Sequence, residues 1–364
     1  MSPDSASPTA DAPIGWPGVS VVIPVLDEQD HLAEAVAEVL AQDYPGPLEV
    51  ILALGPSRDG TDEIAEGLHA ADQRVRLVAN PGGRTPTALN RAIRASSYPV
   101  VVRVDAHGML SEGYLRTAVQ TLRATGAANV GGVMLAQGRS AFEQAVARAM
   151  TTPLGVGSAR WHTDGSAGPA ETVYLGAFRR DVLTRVGGYD ERFVRAQDWE
   201  LNYRIRQEGE LVWFTPELRV SYRPRPTLRR LARQYFDYGR WRRVVARWHR
   251  TISPRYLAAP AAVVGVGVGL LVGALVHPVG YLLPVGYAGV VLVGSALTGA
   301  GLPVRARLWL PVVYVTMHGA WGLGFLTSPP GLVPDRATGA VGATAPESLT
   351  GRPAARSSDA PEGP

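Results

Sequence analysis

The stretch Gln197-Asp198-Trp199-Glu200 places two acids at the head of a helical run that continues to Gln207 and stops at Gly209. A carboxylate in that place can take the proton of a substrate hydroxyl as a general base. It can equally cap the helix, because the first turn leaves N–H groups without intrahelical partners. A second candidate is Asp105, at the end of the apolar run Val100-Val101-Val102-Arg103-Val104, with His107 two residues on. In extended backbone an i, i+2 pair projects to one side, so the carboxylate and the imidazole could share a metal ion. The competing reading is a strand-end Asx turn beside a surface histidine.

Either chemistry needs a scaffold to hold these groups. Apolar, β-branched runs recur at Ser20-Val21-Val22-Ile23, Val50-Ile51-Leu52, Val75 to Val78 and Val100 to Val104. Helical stretches lie between them, at His31 to Ala41, Asp62 to Ala71 and Thr87 to Ala95. This alternation predicts an α/β fold with a parallel sheet covered on both faces. Ligands of such sheets sit outside the carboxyl ends of the strands, which singles out the loops Pro24 to Glu28, Gly55 to Asp62, Asn80 to Thr87 and Asp105 to Gly108.

Composition narrows the chemistry. The 364 residues include no cysteine, which excludes a disulfide framework, a thiolate nucleophile and a Cys-based zinc site. All 36 basic residues are arginine, so a lysine Schiff base is excluded as well. The 46% hydrophobic and 19% charged content is high and low, respectively, for a purely soluble chain, and points to a membrane part. Residues 1–17 are Ser-, Pro-, Ala- and Asp-rich without an apolar core and read as a disordered lead rather than a secretory signal. Residues 328–364 read as a disordered tail by the same compositional logic.

Between them, an α/β unit is expected over 18–222, a basic amphipathic segment over 223–256 and a membrane region over 257–327. The basic segment carries ten arginines from Arg225 to Arg255 against Asp237 alone, interleaved with apolar and aromatic residues at roughly helical spacing. Such a helix suits a lipid headgroup layer. Nucleic acid is the other partner for a run of this kind, and the position of the run argues against it. Leu257 to Pro303 contains no Asp, Glu or Arg and divides at His277-Pro278 into two spans, and a third follows at about Leu308 to Leu326. The positive-inside rule puts the arginines, and with them the α/β unit, on the cytoplasmic side of the cytoplasmic membrane as a multi-pass protein. If the third segment is re-entrant or interfacial, the tail stays inside.

In order along the chain stand Val21-Val22-Ile23-Pro24-Val25-Leu26-Asp27-Glu28, Asn80-Pro81 with Ala88-Leu89-Asn90, and Arg103-Val104-Asp105-Ala106-His107. Then come Gly176-Ala177-Phe178-Arg179-Arg180, Gly187-Gly188-Tyr189-Asp190 and Gln197-Asp198-x-Glu200-Leu201-Asn202-Tyr203-Arg204. With His318-Gly319-x-x-Gly322-x-Gly324-Phe325-Leu326 in the last span, this set resembles the family 2 inverting glycosyltransferases of the GT-A fold, in particular the succinoglycan-biosynthesis type of bacterial glucosyltransferase. The resemblance covers about Val19 to Leu326.

It implies a GT-A domain over 18–222 that moves a sugar, a UDP-hexose donor being favoured, to a lipid-linked saccharide or another lipid acceptor in exopolysaccharide or glycolipid synthesis. It implies Asp198 as catalytic base, with Gln197, Trp199 and Glu200 orienting the acceptor or the base. Pro24, Glu28, Ser57, Asp59, Arg84, Asn90 and Asp105 are the implied nucleotide-sugar contacts. Asp105 and His107 are the implied ligands of a divalent cation, Mn²⁺ or Mg²⁺, with nitrogen favouring Mn²⁺. Gln234, Arg240 and Trp241 distantly resemble the Gln-x-x-Arg-Trp element of processive synthases at a different spacing, which implies Arg240 at the diphosphate.

The chain departs from the family where Leu54-Gly55-Pro56-Ser57-x-Asp59-Gly60-Thr61 lacks the usual Asp pair of the second nucleotide loop. A catalytically silent scaffold of a polysaccharide-assembly complex is therefore the alternative, against which the presence of Asp105 and Asp198 counts. A nucleotidyltransferase or phosphotransferase is disfavoured because the chain has no lysine for a phosphate loop.

Overall fold

The computed structural model describes residues 15–157 and 165–333. Most of the expected lead (1–14) and of the expected tail (334–364) lies outside the described residues. Four strands form the first half of the sheet: β1 (Val19–Val25), β2 (Leu48–Leu54), β3 (Val75–Ala79) and β4 (Val100–Arg103). They are parallel, in the order β3-β2-β1-β4. Their alternate side chains enter two separate cores, since successive residues of a strand face opposite sides. Val21 and Ile23 pack with Leu32 and Val36 of α1 (Leu32–Leu40), Ala65 of α2 (Thr61–Ala71) and Leu115 of α4 (Tyr114–Thr125). Val22, Ile51 and Ala53 pack with Leu89 and Ile93 of α3 (Thr85–Ala95). Both sheet faces are dry, which is why the strands are apolar throughout, and each fully buried Val, Leu or Ile contributes about 1.5–3 kcal/mol.

Beyond β4 the sheet becomes mixed, which corrects the expectation of a parallel sheet. The remaining strands are β5 (Met109–Leu110), β6 (Asn129–Ala136), β7 (Gly168–Pro169), β8 (Tyr174–Arg179) and β9 (Val212–Tyr222). The full order is β3-β2-β1-β4-β8-β6-β9-β5, with β7 added on β9. β8 lies antiparallel between β4 and β6. A strand buried on both faces reads alike in either direction, so its apolar pattern carries no sign of its polarity. Between β6 and β9 the chain forms α5 (Ala141–Met150), α6 (Pro153–Val156), α7 (Arg180–Arg185) and α8 (Gln197–Gln207), and Leu201 and Ile205 of α8 join the second core.

The basic segment forms α9 (Leu228–His249), followed by a tight turn at Pro254–Leu257, then α10 (Ala258–Leu275), α11 (Leu282–Thr298) and α12 (Val304–Leu326). The face of α9 expected to meet lipid is instead covered by protein. Leu231 and Tyr235 pack on Leu310, Tyr314 and Met317 of α12, and Val244 and Val245 pack on Phe193 and Trp199. Two glycines bring α9 and α12 into backbone contact. A Cβ on Gly239 would stand 2.0 Å from the Trp321 carbonyl oxygen, and one on Gly324 would stand 2.1 Å from that of Phe236.

The spans 254–275 and 278–298 are long and apolar enough to cross a membrane, and most of their side chains face outward from the protein. The third expected span, α12, differs from them. It buries Ala306, Leu310, Val313, Tyr314, Met317 and Phe325 along its length, against α9 and α5 among others.

Candidate active site

The loops after β1, β2 and β3 are tied to one another at the strand ends. Ser57 Oγ accepts from the Asp27 N–H, Thr61 Oγ1 from the Glu28 N–H, and Asp27 Oδ1 from the Arg58 N–H at 2.8 Å. Asp59 accepts from Thr61 and from the Gln29 N–H, and the Thr61 bond foremost holds its carboxyl below the usual range. Ser57 and Asp59 therefore shape the loop after β2 and tie it to the loop after β1. Pro24 is half-buried on β1 opposite Ala53, and Arg84 is exposed at the head of α3, where Gly83 touches Pro56.

At the end of β4 the two acids singled out from the sequence meet around one cation. Arg103 donates to Asp105 Oδ1 through Nε and Nη2, at 3.2 and 3.0 Å, and through Nη1 to Asp198. Its side chain is only 6% exposed. Burial works against the guanidinium charge, and the charges of Asp105 and Asp198 outweigh it, so it stays protonated. Asp198 keeps 30% of its side chain open, yet the surroundings are dry enough to disfavour its charge. Burial pushes its carboxyl above the ordinary 3.8, Arg103 opposes the rise, and the charge of Asp105 adds to it. Tyr189 lies beside the Arg103 and Asp198 pair, brought there by the Gly187-Gly188 turn. An acid raised in this way is a stronger base when ionised, as proton abstraction from a hydroxyl requires.

α8 holds Asp198 in its first turn. Its N-cap, however, is Ala196, in left-handed backbone at φ 58° with no side-chain cap bond, so Asp198 is not the cap. The carboxylate is instead free to turn to Arg103. Gln197 is half-buried beside it. Glu200 is 1% exposed and faces inward, bound by Arg204 through both oxygens at 2.8 and 3.0 Å and paired with His249 at 3.3 Å. Burial pushes its carboxyl up, and the His249 and Arg204 bonds outweigh this and hold it below the usual range. Trp199 is buried too, stacked on Tyr203 at 5.4 Å. Glu200 thus braces the helix from behind and presents no face to an acceptor, while Trp199 packs against Tyr203.

One further expected contact lies elsewhere. Asn90 is buried, with its amide donating to the Tyr189 carbonyl and to Glu191 while its oxygen accepts from the Tyr189 N–H at 2.8 Å. It places the Tyr189 turn rather than facing a ligand. The Arg240 guanidinium lies over Phe236. Arg225, of the basic run, comes within electrostatic range of His107.

His107 Nδ1 is 2.9 Å from Glu28 Oε1, joining the β1 and β4 loops. That bond raises the imidazole pKa above its ordinary 6.5, and burial opposes it. Among the described residues no three His, Cys, Asp or Glu side chains sit close enough to hold a metal by themselves. The residues present do fit a cation shared with a substrate. Both Arg103 bonds fall on Asp105 Oδ1, leaving Oδ2, and the Glu28 bond leaves His107 Nε2. One or two protein ligands completed by substrate phosphates is an ordinary arrangement for such ions.

Arg103 and Tyr189 are the site residues that sequence reasoning did not assign. Arg103 was visible as a charge inside a valine run, and a charge at a doubly buried position must have a partner. Comparison with known proteins now adds to this geometry. A family model described as Glycosyl transferase family 2 matches residues 20–187. The succinoglycan biosynthesis protein ExoA of Rhizobium meliloti (strain 1021) is 33% identical over 84% of this chain and 93% of its own. A dolichyl N-acetyl-alpha-D-glucosaminyl phosphate 3-beta-D-2,3-diacetamido-2,3-dideoxy-beta-D-glucuronosyltransferase of Methanococcus voltae is 22% identical over 61% of this chain and 71% of its own. Among solved structures, the mannosyltransferase PcManGT of Pyrobaculum calidifontis, in complex with GDP-Man and Mn²⁺, shares the fold. Its TM-score is 0.58 at 20% identity, covering 89% of this chain and 91% of that one. With a GT-A-like sheet, two acids gathered at its strand ends and a relative matched along nearly its whole length, the chain belongs to glycosyl transferase family 2 and is a glycosyltransferase.

Proposed function

We propose that the chain is an inverting transferase that moves a hexose from a nucleoside diphosphate to a hydroxyl of a lipid-linked saccharide, while anchored in a membrane by α10 and α11. The convergence of Asp105 and Asp198 on Arg103 carries this reading. Asp198 takes the acceptor proton as the acceptor oxygen bonds to the anomeric carbon. The bond from that carbon to the phosphate oxygen breaks, and the nucleoside diphosphate leaves with the electron pair. Attack from the face opposite the leaving group inverts the anomeric centre. Arg103 fixes the Asp198 carboxylate and keeps it ionised against its dry surroundings. A divalent cation held by Asp105 and His107 would offset charge on the departing phosphates. The names of the Rhizobium and Methanococcus relatives, which concern polysaccharide and lipid-linked sugars, favour a lipid-linked acceptor.

The test uses the full chain in lipid, with UDP- and GDP-sugars, Mn²⁺ or Mg²⁺ and a lipid-linked acceptor, following nucleotide release. Wild type should turn over one nucleotide class, and Asp198→Asn should lose about 10²–10⁴-fold of acceptor-dependent release. Equal release by the two proteins removes Asp198 as base. Absence of turnover with every donor favours the silent scaffold.

A further inference from the structure

Behind the active site, α8 has a second working face. Trp199, Tyr203 and Gln207 recur every four residues and line a cavity of about 390 Å³, closed by α9 and by residues 251–256. Asp198 is not on its wall. Arg242 of α9 enters the cavity between two rings, its guanidinium carbon 5.0 Å from the Trp199 centroid and 4.2 Å from that of Tyr256. The buried Nη1 of Arg242 has no hydrogen-bond partner among the described residues.

Neighbouring arginines differ in this respect. Arg103 has two carboxylates, Arg204 has Glu200, and Arg255 has Glu171 at 2.7 Å. Glu171 is the acid on the cavity wall, and Arg255 already neutralises it. Arg206 brings a second cation to the wall, with Nε donating to the Glu171 carbonyl. Burial foremost drives the Arg242 pKa down and the charge of Arg255 adds to this, while Tyr256 and Glu171 only partly oppose it. A guanidinium N–H buried without an acceptor is costly until an anion completes it. Guanidinium groups bind phosphate oxygens in a matched fork, and the aromatic walls exclude water around them. The turn that forms one wall leads directly into α10, the first helix able to cross a membrane.

We propose that this cavity binds the phosphate head group of an anionic membrane lipid, with Arg242 as its central cation and Arg206 as the second. The lipid source rests on the membrane attachment proposed above. The site is separate from the catalytic cleft, and a bound lipid would orient α8 and α9 at the bilayer surface.

The full chain purified in detergent is titrated calorimetrically with dihexanoyl phosphatidic acid and, in parallel, with inorganic phosphate. Wild type should show one saturable site for the lipid and weaker binding of free phosphate. Arg242→Gln should weaken lipid binding about tenfold or more, the loss of a charge-assisted bond. Thermal unfolding provides a control on folding. Arg242→Gln removes a charged group whose buried Nη1 has no partner among the described residues, so it should remain folded without lipid and lose only the lipid-dependent rise in Tm. No saturable binding, or binding that Arg242→Gln leaves unchanged, overturns the site. Free phosphate binding as tightly as the lipid overturns the head-group assignment. Flotation with uncharged phosphatidylcholine vesicles addresses the anchor alone. A chain that fails to float refutes membrane attachment, while the titration still decides the cavity.

Discussion

Arg103 is the residue on which the site depends, because it is the buried cation on which both carboxylates converge, and its charge is what opposes the desolvation of Asp198. Replacing it with methionine keeps the volume and removes the charge. Arg103 pulls the Asp198 pKa down, so its loss lets that pKa rise further, and the base is then protonated up to a higher pH. Arg103→Met should therefore move the acid limb of the kcat/KM profile to higher pH and lower turnover at neutral pH. An unchanged acid limb, measured over a pH series of nucleotide release, would remove Arg103 from this role. At this scale sequence reading found Asp105 and Asp198 as isolated acids, since acids at a strand end and a helix start are conspicuous. It did not find the bridge between them. Residues 103 and 198 are 95 apart in the chain, and only the packing of α8 on the second core joins them.

The elements explain why neighbours of Asp198 with functional-looking chemistry turned out to be supports. α8 presents Asp198 to the sheet end, and of its next residues Glu200 points into protein while Trp199 is buried at the wall of the second cavity. Glu200 is held by Arg204, lies beside His249 and is nearly inaccessible, so Glu200→Gln should destabilise the protein by about 3 kcal/mol through the Arg204 charge left without its carboxylate. The pH dependence has a definite sign. The folded-state pKa of Glu200 lies below its ordinary 4.5, so its contribution is complete above that value and is lost as pH falls through the folded pKa. Urea unfolding of wild type from neutral to acid pH should lose stability in that window, and Glu200→Gln should show a flatter dependence there. Equal acid slopes in the two proteins would mean that Glu200 is not the brace. The strands and the first helices were legible from β-branched runs and their spacing. The antiparallel insertion of β8 was not, because burial on both faces carries no direction.

At the scale of the whole molecule, the catalytic unit and the apolar helices are joined through the crossing of α9 and α12. Basic composition suggested that α9 lies in the lipid headgroup layer, but most of its apolar face is used within the protein, and the exposed apolar surface belongs to α10, α11 and the outer side of α12, where Leu308, Val312, Val315 and Leu323 face outward. Composition registers an amphipathic helix without saying what covers it. The crossing depends on backbone contact at Gly239, where a side chain would meet the Trp321 carbonyl oxygen at 2.0 Å, an atom that cannot swing away. Gly239→Val should therefore cost about 3 kcal/mol by overpacking. Because the clash lies outside the sheet cores, hydrogen exchange should quicken in α9 and α12 while β1, β2 and β4 keep their protection. Gly67 of α2 supplies the contrast, since nothing lies within 4 Å of its added Cβ. Gly67→Ala should stabilise the protein by about 0.5–1 kcal/mol, the helix-interior gain over glycine. If Gly239→Val instead leaves exchange in α9 and α12 as in wild type, the two helices are not coupled at this crossing. The catalytic unit must then be tied to the apolar helices elsewhere, by the Arg148 bonds to the Thr298 and Ala300 carbonyls and the His318 bond to the Leu154 carbonyl.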